Sequence, residues 1–591
     1  MANDKNGPVS GKTDSVVAMD TASRGLKKHK MSTFTVVFMI FSLVAAGCYG
    51  IEDMIPEAGP GLTLILLIVL PFVWGLPFGL VASELGSARP QEGGYYKWVQ
   101  EALGEFWGFQ AGWWRTISIY IDNTLYVVLA GGYVAGLFHL NGWQKFLFMA
   151  AMILVFMYIN IRGVRDVGIV TNALSIFVLA AFTMVAVIGF MNWGGNPFDP
   201  ITSEPIEAGS DWFFYLGGGL ALGMWMYSGY ESMSTIAGEL EDPQVISRAT
   251  IISVPLIMAT YIIPTMASIS AFKGAGEEFS FSKWASEGDT FLGLGAVTED
   301  NVLGYASVAG HFAGPAFGIF FGIVAIVAQC SIFNTYIASG SRGFFALADD
   351  NLAPKVMVKV DKKHGVPYIT VISVAVVNLA LCNFDFSVLV VVDVFLLVAS
   401  YILVYISAMI LRKRIPPEDY KFKAPGGYKF LCVICIVPTC IAFFSFFVAG
   451  TDYFIGGMLG IISGPILYVI WRLMYGGLSK KDPEGNPGNP RTRLAKGDLK
   501  RMSFLFFILG LVGVGGSFFL PWYEAGWVSD LVAEGMSYEE AFAENYDMTL
   551  FGSQEAMWAG IRVATIAVLV VTVALYLVWQ KVDDDRVKKA A

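Results

Sequence analysis

Five acids stand inside apolar stretches of this 591-residue chain: Glu52, Asp53, Asp122, Glu231 and Asp393, with Arg115 as the one comparable cation. A carboxylate at the centre of a lipid bilayer costs about 2.5–3.5 kcal/mol unless a partner or a water-filled hollow receives it. A low-dielectric hollow with surplus carboxylates favours cations, whether ammonium groups or protons. Arg115 and Asp122 are seven residues apart. On a helix that is one face but about 10 Å of rise, so the two are not expected to pair directly. Aromatic residues crowd the same stretches: Tyr49, Trp114, Tyr120, Tyr126, Trp225, Tyr227 and Tyr230. Their faces suit an alkylammonium through cation–π contact.

The elements that must position these groups are two interrupted spans. Ala46-Gly47-Cys48-Tyr49-Gly50-Ile51-Glu52-Asp53 lies in the first apolar run, and Tyr227-Ser228-Gly229-Tyr230-Glu231-Ser232 lies in a later one. Gly50-Ile51-Glu52 and Gly229-Tyr230-Glu231 share one pattern. Glycine weakens a helix, and non-helical backbone at membrane depth persists only against protein or a cavity. Two glycine-interrupted segments in corresponding positions of two halves point to a binding site near the midplane. The candidate binding residues are therefore Gly47, Cys48, Tyr49, Gly50, Ile51, Glu52 and Asp53 at the first break. Asp122, Asn123 and Tyr126 follow on the third span. Tyr227, Gly229, Tyr230, Glu231 and Ser232 form the second break, and Asp393 lies on the tenth span. Glu52, Glu231 and Asp122 are the candidates for proton coupling. Glu52 and Asp53 also suit the start of a short second half-helix, where the dipole favours acids.

The chain is 55% hydrophobic and 15% charged, with a mean hydropathy of +0.60. That composition is one of a polytopic all-α membrane protein. About fourteen apolar spans are predicted, at 33–57, 61–83, 104–137, 145–162, 167–191, 212–238, 247–271, 313–346, 367–383, 387–411, 429–450, 453–474, 501–520 and 557–580. Lysines and arginines gather before the first span and after the even-numbered ones, which predicts cytosolic termini. The opposite loops are acidic or neutral; Pro521 to Gly560 holds eight acids and no Lys or Arg. Gly476–Lys500, rich in Gly, Pro and charge, reads as a cytosolic linker. Val528 to Asn545 has helix-like apolar spacing and predicts a short amphipathic helix at the outer face.

Other chemistries find little support. No basic stripe for nucleic acid appears. Cys432-x-x-Cys435 has no second pair or nearby histidine to complete a metal site, and His29, His139, His311 and His364 are scattered. Gly11-Lys12-Thr13 lacks the upstream glycine of a phosphate loop, because Asn6 stands there. No cofactor, metal or enzymatic activity is expected.

Several motifs together resemble the amino acid–polyamine–organocation transporter superfamily. They are Gly50-x-Glu52, Pro90-x-x-Gly93-Gly94-x-Tyr96, Ser228-Gly229-Tyr230-Glu231-Ser232, Ala237-Gly238-Glu239, Asp242-Pro243, Ser341-Arg342 and Ala346 to Pro354. The resemblance covers about residues 32 to 475. It implies a core of two inverted five-helix repeats with discontinuous first and sixth helices. It also implies substrate held between the first, third, sixth, eighth and tenth spans, and alternating access. Gly47-x-x-Gly50-x-Glu52-Asp53 and Ile121-Asp122-Asn123-x-Leu125-Tyr126 are similar to the polyamine-uptake branch of plants and protozoa. The helix-5 lysine of some proton-coupled members has no counterpart in 167–191.

The expected organisation is a disordered cytosolic tail at 1–31, a ten-helix transport core at 32–414 and helices 11–12 at 415–475. A linker at 476–500 leads to helices 13–14 with an acidic extracellular segment at 501–580, and a tail at 581–591. The expected function is secondary transport of amino acids or polyamines across a plasma or inner membrane, with a cationic substrate favoured, coupled to protons or by exchange. A neutral amino acid permease of the same fold is the alternative, and a non-transporting membrane sensor is one of another class. The oligomeric state is left open.

Overall fold

The computed structural model describes residues 30–45, 49–91, 93–203, 205–206, 211–242, 244–271, 304–476, 494, 497–533, 535–546 and 551–590. Gly47 and Cys48 lie outside them, and the helix that carries Asp53 is described without that side chain. Regular structure among the described residues is helical apart from isolated bridges such as Trp193 to Ala271.

The first span is two helices. α1 (Thr33–Val44) starts at Ser32, whose hydroxyl accepts the Thr35 N–H at 3.1 Å. α2 (Ile51–Ala58) starts after Gly50 at φ 96°. α3 (Pro60–Ala88) follows, with a π-helical turn at Pro71–Gly75. Next come α4 (Tyr95–Leu103), α5 (Glu105–Phe138), α6 (Gly142–Arg162) and α7 (Val164–Met191). α6 opens on a capping box between Asn141 and Gln144. α8 (Asp211–Met226) stops at the second break and continues as a 3₁₀ segment, Tyr230–Glu239. Then follow α9 (Gln244–Ser270), α10 (Gly304–Ala313), α11 (Pro315–Asp349), α12 (Tyr368–Leu381), α13 (Phe386–Arg414), α14 (Gly427–Val448) and α15 (Thr451–Trp471). The last part is α16 (Asp498–Tyr523), α17 (Trp527–Ala533), α18 (Tyr538–Asn545) and α19 (Gln554–Ala590). The amphipathic stretch predicted at 528–545 is thus two short helices, because Gly535 at φ 108° turns the chain between them.

Eleven described helices are long and apolar enough to cross a membrane, and α1 and α12 are shorter apolar helices. Large side chains such as Phe72, Tyr158, Met191 and Phe518 stay exposed, as a lipid-facing surface requires. α5 is the hub of the bundle and packs on α4, α6, α11, α12, α13 and α15.

Contacts between loops sort the helix ends into two faces. On the basic face, Lys97 Nζ and Tyr96 OH of α4 each lie 2.5 Å from Asp350 Oδ2 at the end of α11. Glu84 of α3 pairs with Arg412 of α13, and Glu105 of α5 pairs with Arg472 after α15. Tyr468 OH donates to Asp498 Oδ2 at 2.7 Å, which ties the start of α16 to α15. The helix therefore begins three residues before the predicted span at 501–520. Asp498 supplies the acid that favours a helix N-terminus, and Gly497 at φ 85° makes the turn into it.

On the acidic face, buried Glu524 organises the last helices. It accepts the Thr451 N–H and hydroxyl, both at 2.6 Å, at the N-terminus of α15. Tyr546 OH at 2.9 Å and Trp558 Nε1 at 3.2 Å also donate to it. α16 and α19 pack along each other, with Gly510 and Gly513 against Leu569 and Thr565. Glu524→Ala removes an acceptor from four donors and should destabilise the protein by roughly 3 kcal/mol, given the worth of charge-assisted hydrogen bonds. Thermal unfolding followed by tryptophan fluorescence measures it, and Glu524→Gln should recover part of the loss.

Candidate functional site

The two breaks meet. A Cβ on Gly50 would stand 2.8 Å from the Trp225 ring of α8. A Cβ on Gly229 would stand 2.7 Å from the Tyr336 hydroxyl and 3.1 Å from the Leu43 carbonyl of α1. Both glycines have φ near 100°, where a side chain is strained, so approach and conformation each require glycine here. Freed carbonyls at the two helix ends are answered from α9. The Tyr261 hydroxyl lies 2.5 Å from the Val44 carbonyl and 3.0 Å from that of Met226. Trp74 Nε1 of α3 donates to the Met224 carbonyl at 3.0 Å. The Gly229 N–H donates to the Tyr401 hydroxyl of α13 at 3.0 Å.

A charged chain of contacts runs beside the second break. Arg115 Nε donates to Glu231 Oε1 at 2.6 Å, Nη1 to Ser118 Oγ at 2.7 Å, and Nη2 to Ser232 Oγ at 3.3 Å. Tyr401 OH donates to Glu231 Oε2 at 2.6 Å. Ser118 passes the chain on, donating to Asp393 Oδ1 at 2.5 Å. Asp393 Oδ2 is buried and has no hydrogen-bond partner among the described residues. Asp122 lies close enough to Asp393 for the two charges to act on each other. Its Oδ1 accepts Trp225 Nε1 at 2.9 Å, and the hydroxyls of Tyr126 and Tyr336 face the same carboxylate. Tyr126 stacks on Trp225 with ring centres 5.8 Å apart and lies 5.5 Å from Tyr336.

The set therefore holds Asp122, Glu231 and Asp393 against the single guanidinium of Arg115, all buried. With every group ionised, two negative charges are uncompensated. Arg115 pairs with Glu231 rather than Asp122, as the seven-residue spacing anticipated.

Other candidates fall elsewhere. Glu52 accepts from Tyr133 OH at 2.6 Å and from the Tyr305 N–H, at the start of α10, at 3.0 Å. Tyr133 is eleven residues beyond Asp122 on α5, about 16 Å along the axis. Tyr49 lies with Glu52's partners, its ring 5.3 Å from Tyr133 and 6.3 Å from Tyr305. Asn123 turns to α12, donating to Asn378 Oδ1 at 3.1 Å. Tyr227 donates to the Leu67 carbonyl of α3 at 2.8 Å, and Tyr230 packs near Gly75 and Gly79 of the same helix. Ile51 is buried in the apolar core. α7, which has no lysine in 167–191, turns Thr171 and Ser175 to α11. Thr171 lies 2.9 Å from Thr335, and Ser175 lies 3.4 Å from Ser331 of α11.

Ser118, Tyr336 and Tyr401 were not singled out in the sequence. Ser118 carried a signal, since it lies three residues after Arg115 and four before Asp122, on their helix face. Tyr336 and Tyr401 carried none beyond being aromatic in apolar runs.

The sequence model of the amino acid permease family matches residues 31–471. The chain belongs to the amino acid permease family. It sits in the amino acid–polyamine–organocation superfamily, in the polyamine and amino acid branch. The permease is 27% identical over 419 residues to the polyamine transporter RMV1 of Arabidopsis thaliana, covering 70% of this chain and 79% of that one. It is 25% identical over 468 residues to the serine/threonine exchanger SteT of Bacillus subtilis, covering 76% of this chain and 98% of that one. The crystal structure of MhsT in complex with L-phenylalanine superposes with a TM-score of 0.52 at 13% identity. That match covers 72% of the permease and 99% of MhsT, and the likeness is one of fold.

Proposed function

We propose that this permease is a secondary active transporter of organic cations, polyamines or cationic amino acids, working by alternating access. One observation carries the reading: Asp122 and the unpartnered Oδ2 of Asp393 sit beside the aromatic group of Tyr126, Trp225 and Tyr336. An ammonium placed there meets carboxylate charge and ring faces in a desolvated setting, where both interactions are strengthened. The likeness to RMV1, named a polyamine transporter, supports the same class. Backbone groups at the two breaks would receive the polar remainder of the substrate in place of their present partners, Tyr261, Trp74 and Tyr401.

The broken spans would rock against α5 and α11 as the moving pair. On the acidic face, Glu52 fastens α2 to α5 and α10. On the basic face, the Gly93 N–H reaches the Thr235 carbonyl of the 3₁₀ segment at 3.4 Å. Each would be a gate contact made in one facing and released in the other. Differential substrate affinity of the two facings supplies the bias between them. Fourteen spans, a five-plus-five inverted repeat, cytosolic termini and the domain boundaries set out from the sequence complete the proposal, with protons or exchange as the coupling.

Uptake of labelled putrescine, arginine and leucine into proteoliposomes at two pH values tests it. Putrescine or arginine uptake that neutral leucine does not compete supports the cation reading. Leucine uptake alone overturns it in favour of neutral amino acid transport, the class to which the name of SteT belongs.

A further inference from the structure

Residues 472–591 lie beyond the family match, yet their helices border a cavity lined also by Phe386, the ring that packs on Trp225. The cavity measures about 530 Å³ on the acidic face, between α2, α8, α13, the α14–α15 turn and the segment that follows α16. Glu57, Phe214, Phe386 and Tyr453 line it from the family region, and Tyr523 and Trp527 line it from the extension. Trp527 meets Phe214 edge to face at 5.4 Å and Tyr523 at 5.1 Å. Tyr523 OH donates to the Val448 carbonyl at 3.3 Å, which holds the extension to the end of α14.

The floor of the cavity leads inward. Phe386 packs edge to face on Trp225 at 5.7 Å, and Trp225 donates to Asp122. Phe386 and Trp225 thus join the cavity lining to the Asp122 carboxylate. Gly218 of α8 leaves room for the Glu57 carboxylate at the rim, since a Cβ there would stand 2.6 Å from Oε2. On the short helices that follow α16, Asp530, Glu539 and Glu540 are exposed, and Pro521 to Gly560 carries no Lys or Arg. A field of one sign over a cleft raises the local concentration of the opposite charge.

We propose that this cavity is a transit site for alkylammonium substrates and that the C-terminal extension supplies its aromatic wall. The inference rests on the cation reading above. An ammonium drawn to the acidic face meets Glu57 and the rings of Tyr453, Tyr523 and Trp527. It passes to Asp122 when Phe386 and Trp225 part.

The test uses the full chain in proteoliposomes with labelled putrescine. Trp527→Ala should raise KM about fivefold, the worth of one exposed cation–π contact, with the maximal rate falling less than twofold. Trp527→Phe should recover most of the loss. Independently, Ala449→Cys places a thiol on the cavity wall. A cationic methanethiosulfonate should modify it about tenfold faster than an anionic one, as an acidic cleft dictates. Putrescine should slow that reaction, and the modification should block uptake; the parent chain controls for its own cysteines. Unchanged KM in Trp527→Ala, with equal rates for the two reagents, overturns the transit site even where wild-type putrescine uptake is normal. Absence of putrescine and arginine uptake by the wild type instead counts against the cation reading itself.

Discussion

Replacing Asp122 by asparagine is expected to lower putrescine uptake at sub-saturating concentration about a hundredfold, with little change in thermal stability. Asparagine keeps the shape and still offers an oxygen to Trp225 Nε1, which now sits 2.9 Å from Oδ1. What disappears is the charge. An ion pair at about 4 Å and an effective dielectric near 20 is worth up to roughly 4 kcal/mol, so a loss of about 2.7 kcal/mol, a hundredfold, falls within the ceiling. Asp393 remains to hold part of the attraction, which is why uptake is not abolished. The measurement is the concentration dependence of putrescine uptake beside a melting curve. A KM within twofold of wild type would remove Asp122 from the binding account.

Glu231→Gln should act mainly on the fold. Arg115 and Glu231 form a pair at 2.6 Å with side-chain exposures of 0% and 1%. Such a pair contributes little net stability compared with apolar residues, but breaking it takes from the guanidinium its one direct carboxylate, at up to about 3–5 kcal/mol. Glutamine would still accept from Tyr401, whose hydroxyl also receives the Gly229 N–H, so the second break should keep its shape. We expect the melting temperature to fall by about 5 °C, which is the scale of such a loss in a large protein. Arg115→Gln together with Glu231→Gln should restore most of that stability, because the guanidinium goes with its direct partner and the set keeps its net charge of two negatives. Equal destabilisation by the single and double substitutions would show that Glu231 is held by its hydroxyl partners rather than by Arg115.

Much of the outline was legible in the residues. Apolar run length and charge asymmetry are local properties, and glycine pairs inside such runs mark where helical hydrogen bonding must fail. Hence both interruptions, at Gly50 and Gly229, appear where the sequence placed them. The number of intramembrane acids, and their excess over cations, also follows from composition alone. The partners of those acids do not. Glu52 and Glu231 share one local pattern, yet Glu52 turns to Tyr133 and the start of α10 while Glu231 turns to Arg115 and Tyr401. Asn123 is the neighbour of Asp122 in sequence but faces α12, because adjacent helical positions point about 100° apart.

By itself, then, the chain determined its membrane-spanning class, its two interruptions and its surplus of buried negative charge, since spacing and hydropathy act over one or two turns. Tertiary packing alone decided that Ser118 links Arg115 to Asp393, that Trp225 covers Asp122, and that helices beyond the family match wall the cavity next to Phe386. Those relations join residues more than a hundred positions apart. Which helix faces which is set by side-chain fit across the whole bundle, and no local pattern records it.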